Sequence, residues 1–200
     1  ILQNFSGHPI PINCLVAGSL YIEASQGDVP LTPLGRQQSA AFAGRFQHRK
    51  LTAIYSSDLL RCRTAADQIA ILQSVQPVYL DGLRELHIGD WEGQSWEQLQ
   101  RDYPDLWQAR LDDIVNVAAP AGETLLQMAQ RVRPVIQQIV AAHPGGEIVI
   151  VAHGGVNRVV LLDAIGAPLE RLFHIEQDYG CHNIIDYFTD GIAVVKQLNG

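Results

Sequence analysis

The stretch Glu147-Ile148-Val149-Ile150-Val151-Ala152-His153-Gly154-Gly155 limits what this chain can fold into more than any other. Four consecutive β-branched residues follow a Pro144-Gly145-Gly146 breaker and run into a histidine and two glycines. A run without polar alternation suits a strand covered on both faces, the usual state inside a parallel sheet. His153 then stands at the carboxyl tip of that strand, where open α/β sheets bind their ligands. Gly154 and Gly155 let the backbone turn tightly and present the free N–H groups of the next helix, a natural site for an anion. A plainer alternative is that His153 only caps a buried strand and the glycines only make a turn.

The rest of the chain supplies a setting for that strand. Ile10 to Val16 alternates like a first strand. Thr32 followed by Pro33 marks a helix start, with a buried face from Leu34, Ala41, Phe42, Ala43 and Phe46 and an end near Arg49. Leu51 to Tyr55 reads as a second strand, and Ser57 or Asp58 as the cap of a helix to about Gln73. Pro77 to Leu80 gives a third strand. Ser95-Trp96-Glu97-Gln98 is a capping box for a helix that Tyr103-Pro104 ends or redirects, and Asp105 to Asp113 forms another short helix. Thr124 caps a long amphipathic helix through Leu125, Met128, Ala129, Val132, Val135, Ile136, Ile139 and Val140, in which Pro134 predicts a kink or break. Met128 is core in this reading. After the histidine strand come a helix from Val156 to Ile165, a short helix from Pro168 to Phe173, and a hairpin of Asn183 to Phe188 with Ile192 to Leu198. Strands alternating with helices and closing on a hairpin mean an α/β fold, mostly parallel, with an antiparallel edge.

Two hundred residues, 47% of them apolar and without an internal repeat, fit one domain spanning 1–200 with a real core. No apolar run approaches the roughly 20 residues that span a bilayer, and Ile1 to Pro11 lacks the pattern of a signal peptide, so a cytoplasmic home is the default expectation. The only methionine is Met128, so Ile1 is not expected to be a translation start. Cys14, Cys62 and Cys181 are odd in number and widely spaced, which suggests neither a disulfide framework nor a zinc site. A formal charge of −7 argues against non-specific nucleic-acid binding. Two of the fourteen basic residues are lysine, Lys50 and Lys196, and the rest are arginine, a bias that a GC-rich genome explains as well as phosphate handling does.

Arg61 lies about one turn inside the second helix, near the mouth of the sheet, where it can reach a phosphate; a solvated surface arginine is the commoner case. Asp28-Val29-Pro30-Leu31-Thr32-Pro33-Leu34-Gly35-Arg36, Tyr55-Ser56-Ser57-Asp58-Leu59-Leu60-Arg61, Leu83-Arg84-Glu85 with Gly89-Asp90-Trp91-Glu92-Gly93, Ala121-Gly122-Glu123-Thr124 and Val151-Ala152-His153-Gly154-Gly155 follow one another in a family order. Together they resemble the histidine phosphatase superfamily, also called the phosphoglycerate mutase-like proteins, from about Asp28 onward, while 1–27 is atypical. The resemblance implies a three-layer sandwich and metal-independent phosphoryl transfer through a phosphohistidine on a small phosphorylated metabolite, with no cofactor. It makes Arg61 a phosphate-binding arginine, His153 the second histidine that binds phosphate, and Glu85 the proton donor to the leaving oxygen. Gly154 is expected to let the backbone approach closely. Arg84, Asn157 and Arg158 are candidates for the pocket border.

The sequence departs from the family at one decisive place. After the first strand the family has an apolar pair and then arginine-histidine-glycine, the histidine being the nucleophile. Here the residues are Leu15-Val16-Ala17-Gly18-Ser19, and the stretch to Asp28 is several residues shorter than usual. His8, His87 and His182 have no matching place, and Ser19 has no evident base. In the next helix, Arg61-Cys62-Arg63-Thr64-Ala65 is one residue short, which rotates the downstream residues by about 100°. The readings are a phosphomonoester hydrolase by lineage, with α-ribazole phosphatase-like enzymes as candidates; a catalytically inactive phosphate-binding or regulatory protein; or a phosphoglycerate mutase. The modest length favours the phosphatases over the longer mutases. Neither the physiological substrate nor the oligomeric state is written in these residues.

Overall fold

The computed structural model describes residues 10–16, 26–28 and 31–200, for 10–16 as backbone only. Six strands, β1 (Ile10–Val16), β2 (Ala53–Ser57), β3 (Pro77–Leu80), β4 (Ile148–Ala152), β5 (His182–Tyr187) and β6 (Ala193–Gln197), form one sheet in the order β3-β2-β4-β1-β5-β6. β3, β2, β4 and β1 run parallel, and β5 and β6 add the antiparallel edge. This is the α/β architecture expected from the order of elements.

β4 is the histidine strand, and all five of its residues are buried. Its side chains divide by the two-residue period of a strand. Ile148, Ile150 and Ala152 enter the larger core, with α5 (Leu125–Ala142) and α6 (Gly154–Ala164). Val149 and Val151 enter the smaller one, with α1 (Pro33–Gly44) and α2 (Leu60–Gln73). Helices on both faces make the three-layer sandwich and explain the unbroken β-branched run. Each such side chain, fully buried, contributes about 1.5–3 kcal/mol.

Local signals set most helix starts. Thr32 Oγ1 accepts from Gly35 N at 3.0 Å with Pro33 in the first turn of α1. Ser95 and Gln98 close a capping box on α3 (Trp96–Asp102), and Thr124 and Gln127 close another on α5. Pro104 opens α4 (Pro104–Asp112).

Several expectations shift. α1 ends at Gly44, not near Arg49, and passes into tight turns bonded Phe46 N to Ala43 O and Gln47 N to Gly44 O. β2 begins two residues later than Leu51 and continues through Ser56 and Ser57, because the ladders to Val151 and Leu80 pair those residues despite their polarity. Neither Ser57 nor Asp58 caps α2: Asp28, from a distant segment, accepts from Leu60 N at 2.6 Å, while Asp58 is held by Arg84 through bonds of 2.7 and 2.5 Å. Pro134 does not break α5, which stays one helix of 18 residues. It lies on the exposed face with Gln130, so the carbonyl it leaves without an N–H partner can be hydrated. The segment from Leu169 to His174 is 3-10 rather than α. Among the described residues no helix is long and apolar enough to cross a membrane.

Candidate active site

β4 delivers His153 directly to the start of α6. Its carbonyl already accepts from Asn157 N at 2.8 Å, so the helix begins at Gly154, two residues earlier than expected. The imidazole makes no capping bond to that helix, although the residue is only 3% exposed. It turns toward β2 and α2, where Ser57 Oγ lies 2.8 Å from Nε2 and Cys62 Sγ 3.4 Å from Nε2 and 3.7 Å from Nδ1. Burial, then the positive charges of Arg61 and Arg131, hold its pKa well below the 6.5 of free imidazole. His153 is thus a neutral ring that an incoming dianion would push back toward the protonated form. Cys62 donates to Ala152 O at 3.2 Å, and burial pushes its thiol up to about 12, so it stays protonated and unreactive.

Arg61 sits in the first turn of α2 and is 7% exposed, which sets aside the solvated alternative. Its Nη1 donates to Gly27 O at 2.9 Å. The residue missing from the family spacing leaves Arg61 in place, and downstream Ala65, Ala66 and Ile69 are buried while Arg63 stacks 4.7 Å over the ring of Tyr79.

Glu85, also 7% exposed, follows a 3-10 turn at Asp81–Leu83. Its Oε1 accepts from Leu86 N at 2.8 Å and its Oε2 from Gly155 N at 2.9 Å. One of the helix N–H groups expected to meet an external anion is therefore engaged by the protein's own carboxylate, a favourable place for negative charge. A Cβ on Gly155 would stand 2.3 Å from Glu85 Oε1, whereas one on Gly154 would meet only the flexible end of Arg158, at 3.2 Å. The close approach expected of Gly154 thus belongs to Gly155.

Two positioning groups escaped the sequence reading. Arg131 of α5 donates to Gly82 O (3.1 Å), Arg84 O (2.8 Å) and Glu85 O (3.0 Å) and pairs with Glu123, whose Oε1 accepts from His87 N at 3.0 Å. Its signal was an arginine among Met128, Val132 and Val135 on the apolar side of a helix. The segment Gln26-Gly27-Asp28 is the second: Gln26 Nε2 donates to Glu85 O at 3.1 Å, Gly27 O receives Arg61, and Asp28 receives Leu60 N.

Arg61, Glu85, His153, Gly154 and Gly155 all line one cavity of about 560 Å³. Arg158 lines it too, its Nε bonded to Ile175 O at 2.8 Å. Arg84 and Asn157 do not: the first is bound to Asp58, and the second is buried against Gln177. His87 faces Glu92 and His182 faces Arg45 and Gly200, both away from the cavity. His8 and Ala17-Gly18-Ser19 lie outside the described residues. β1 pairs Val16 with Ala152, so the first strand ends level with the residue before His153. Anion donors and a carboxyl group converging at the carboxyl end of a parallel sheet can hold a phosphoryl group and exchange a proton beside it.

The family model for the histidine phosphatase superfamily (branch 1) matches residues 21–199, beginning just past the atypical Ala17-Gly18-Ser19. Glucosyl-3-phosphoglycerate phosphatase of Mycobacterium tuberculosis is 34% identical over 155 residues, 74% of this chain and 67% of that protein. The solved structure of the mycobacterial glucosyl-3-phosphoglycerate phosphatase in complex with inorganic phosphate superposes with a TM-score of 0.85 at 25% identity, over 96% of this chain and 97% of that one. The α-ribazole phosphatase from Shigella flexneri shares the fold, with a TM-score of 0.84 at 24% identity over 96% of each chain. With a family match over residues 21–199 and a relative 34% identical over 74% of its length, the chain belongs to the histidine phosphatase superfamily.

Proposed function

We propose that the chain captures a small phosphomonoester in a phosphatase-type pocket, with Arg61 and His153 on the non-bridging oxygens and Glu85 at the bridging oxygen. By lineage the reaction is hydrolysis through a phosphohistidine without metal, in which Glu85 protonates the leaving alcohol and then takes a proton from the attacking water. The observation that carries this reading is the convergence of three buried polar side chains, from α2, the loop after β3 and the tip of β4, on one cavity. Burial strengthens the attraction between the Arg61 guanidinium and a dianion, and relatives named as phosphatases agree with the class.

A second reading, a binding or regulatory protein without turnover, is favoured by the sequence Ala17-Gly18-Ser19. Loss of a covalent nucleophile typically costs about a millionfold, and binding with the remaining contacts retains roughly 10³–10⁴ over water. In this reading phosphate binding is intact and fast hydrolysis is lost.

Calorimetry with inorganic phosphate and a phosphomonoesterase assay test both parts. Phosphate should bind, and Arg61→Ala should weaken it by tenfold or more while circular dichroism stays unchanged. If phosphate does not bind, or binds equally to the Arg61 variant, the pocket assignment is wrong. Turnover at an ordinary phosphatase rate, lost on changing His153, would restore the hydrolase reading for the chain as it stands.

A further inference from the structure

Beside Arg61, Glu85 and His153, the same cavity is lined by side chains of different chemistry, Trp96, Trp107, Leu111, Ile114, Phe173 and Tyr179. The ring centroids of Trp96 and Trp107 lie 5.2 Å apart with 57° between their planes, a tilted contact. Large apolar side chains are left open on this rim, with Leu111 61% and Phe173 72% exposed. α4, which carries Trp107 and Leu111, packs Leu106 and Trp107 against the core as partly buried residues and leaves Leu111 beside the cavity.

The charged side chains Arg110, Arg158, Glu176 and Asp178 also line the cavity and have partners within the chain, Asp178 accepting from Asn199 Nδ2 at 3.0 Å. Arg110 donates to Val117 O at 3.0 Å and lies 6.0 Å over the ring of Trp91, Arg158 is bonded to Ile175 O, and Glu176 stands 3.8 Å from Arg158. Burying a hydroxyl-rich group against such walls would leave its hydroxyls without partners. Covering the same walls with an apolar ring removes apolar surface from water on both sides.

We infer that the group esterified to the phosphate is a flat aromatic one, seated between α3, α4 and the turn from Leu169 to His174, rather than a polyol or a carboxylate-bearing metabolite. This rests on the phosphate-capture reading above and names the substrate class for that site. The cavity volume suits a ligand of that kind, since sites for small organic molecules span about 300–1,000 Å³.

The test is calorimetry or tryptophan quenching on the intact chain with four probes: 1-naphthyl phosphate, glycerol 2-phosphate, inorganic phosphate and 1-naphthol. Naphthyl phosphate should bind at least tenfold more tightly than glycerol phosphate or inorganic phosphate. Leu111→Asp and Phe173→Ser, both at exposed positions that the fold does not need, should remove that advantage and leave inorganic phosphate unchanged. Glycerol phosphate binding as tightly as naphthyl phosphate, or none of the four binding, overturns the inference. If naphthol and naphthyl phosphate bind equally well and inorganic phosphate does not bind, the aromatic compartment stands and the phosphate-capture reading fails.

Discussion

At the scale of single residues, the contact between Gly155 and Glu85 is the most exposed to test. Gly155→Ala drives a Cβ into the carboxylate that two backbone N–H groups hold. Displacing it leaves buried donors unpaired, at about 1–3 kcal/mol, more than the ~1 kcal/mol alanine gains over glycine inside a helix. Urea unfolding should show a net loss for Gly155→Ala and no loss, or a gain of up to about 1 kcal/mol, for Gly154→Ala. Equal effects at the two positions would contradict the assignment. His153 yields a pH prediction. Its folded pKa is held well below 6.5, chiefly by burial, so over the window from that lowered value up to about 6.5 the unfolded chain binds more protons. Its contribution to stability is complete above pH 6.5 and is lost as the pH falls through that window. The unfolding midpoint should therefore drop between pH 7.5 and 5.5, and His153→Gln should flatten part of the drop. Some will remain, because His182 is shifted in the same direction, mainly by burial. A variant whose pH profile matches the parent would show that His153 is not buried as a neutral ring.

Secondary elements carry the site through remote ties. α5 is tied to the site through Arg131, which clamps three loop carbonyls and Glu123. Arg131→Leu keeps the helical and apolar character of the face but leaves those oxygens and a half-buried carboxylate unpaired. A loss of about 2–4 kcal/mol is expected in urea unfolding, together with weaker phosphate-ester binding because Glu85 loses its anchor. Loss of stability without any change in ester affinity would make Arg131 a structural residue only. These ties also show what could be read from the chain. Caps at Thr32, Ser95 and Thr124 were legible because donor and acceptor lie three residues apart. The cap of α2 was not, because Asp28 lies 32 residues from the amide it receives. Arg131 and Glu85 are 46 apart, and the link is visible only once the fold closes. Ser56 and Ser57 blurred the end of β2, since polarity there suggested a loop although both are fully buried in the sheet.

Across the whole molecule, the topology and the meeting of Arg61, Glu85 and His153 at one cavity were legible for one reason: the sequence sets these side chains just past strand ends. A buried β-branched run announced the central strand, and Arg61, Glu85 and His153 each stand just beyond a strand of the parallel sheet. The apolar wall left no such mark, because Leu111 and Phe173 look like ordinary helix residues until the structure shows both exposed beside the cavity. The central proposal is a phosphate pocket in a chain that reads Ala17-Gly18-Ser19 where the family resemblance places arginine-histidine-glycine. The deciding measurement rebuilds the motif by Ala17→Arg, Gly18→His and Ser19→Gly, traps acid-labile phosphohistidine and follows turnover of a phosphomonoester. The parent chain should bind phosphate without a trapped phosphoenzyme, and the rebuilt chain should form one and turn over at least about a thousandfold faster. A rebuilt chain that folds and binds phosphate yet stays inert, or a parent chain that already traps phosphohistidine, would contradict it.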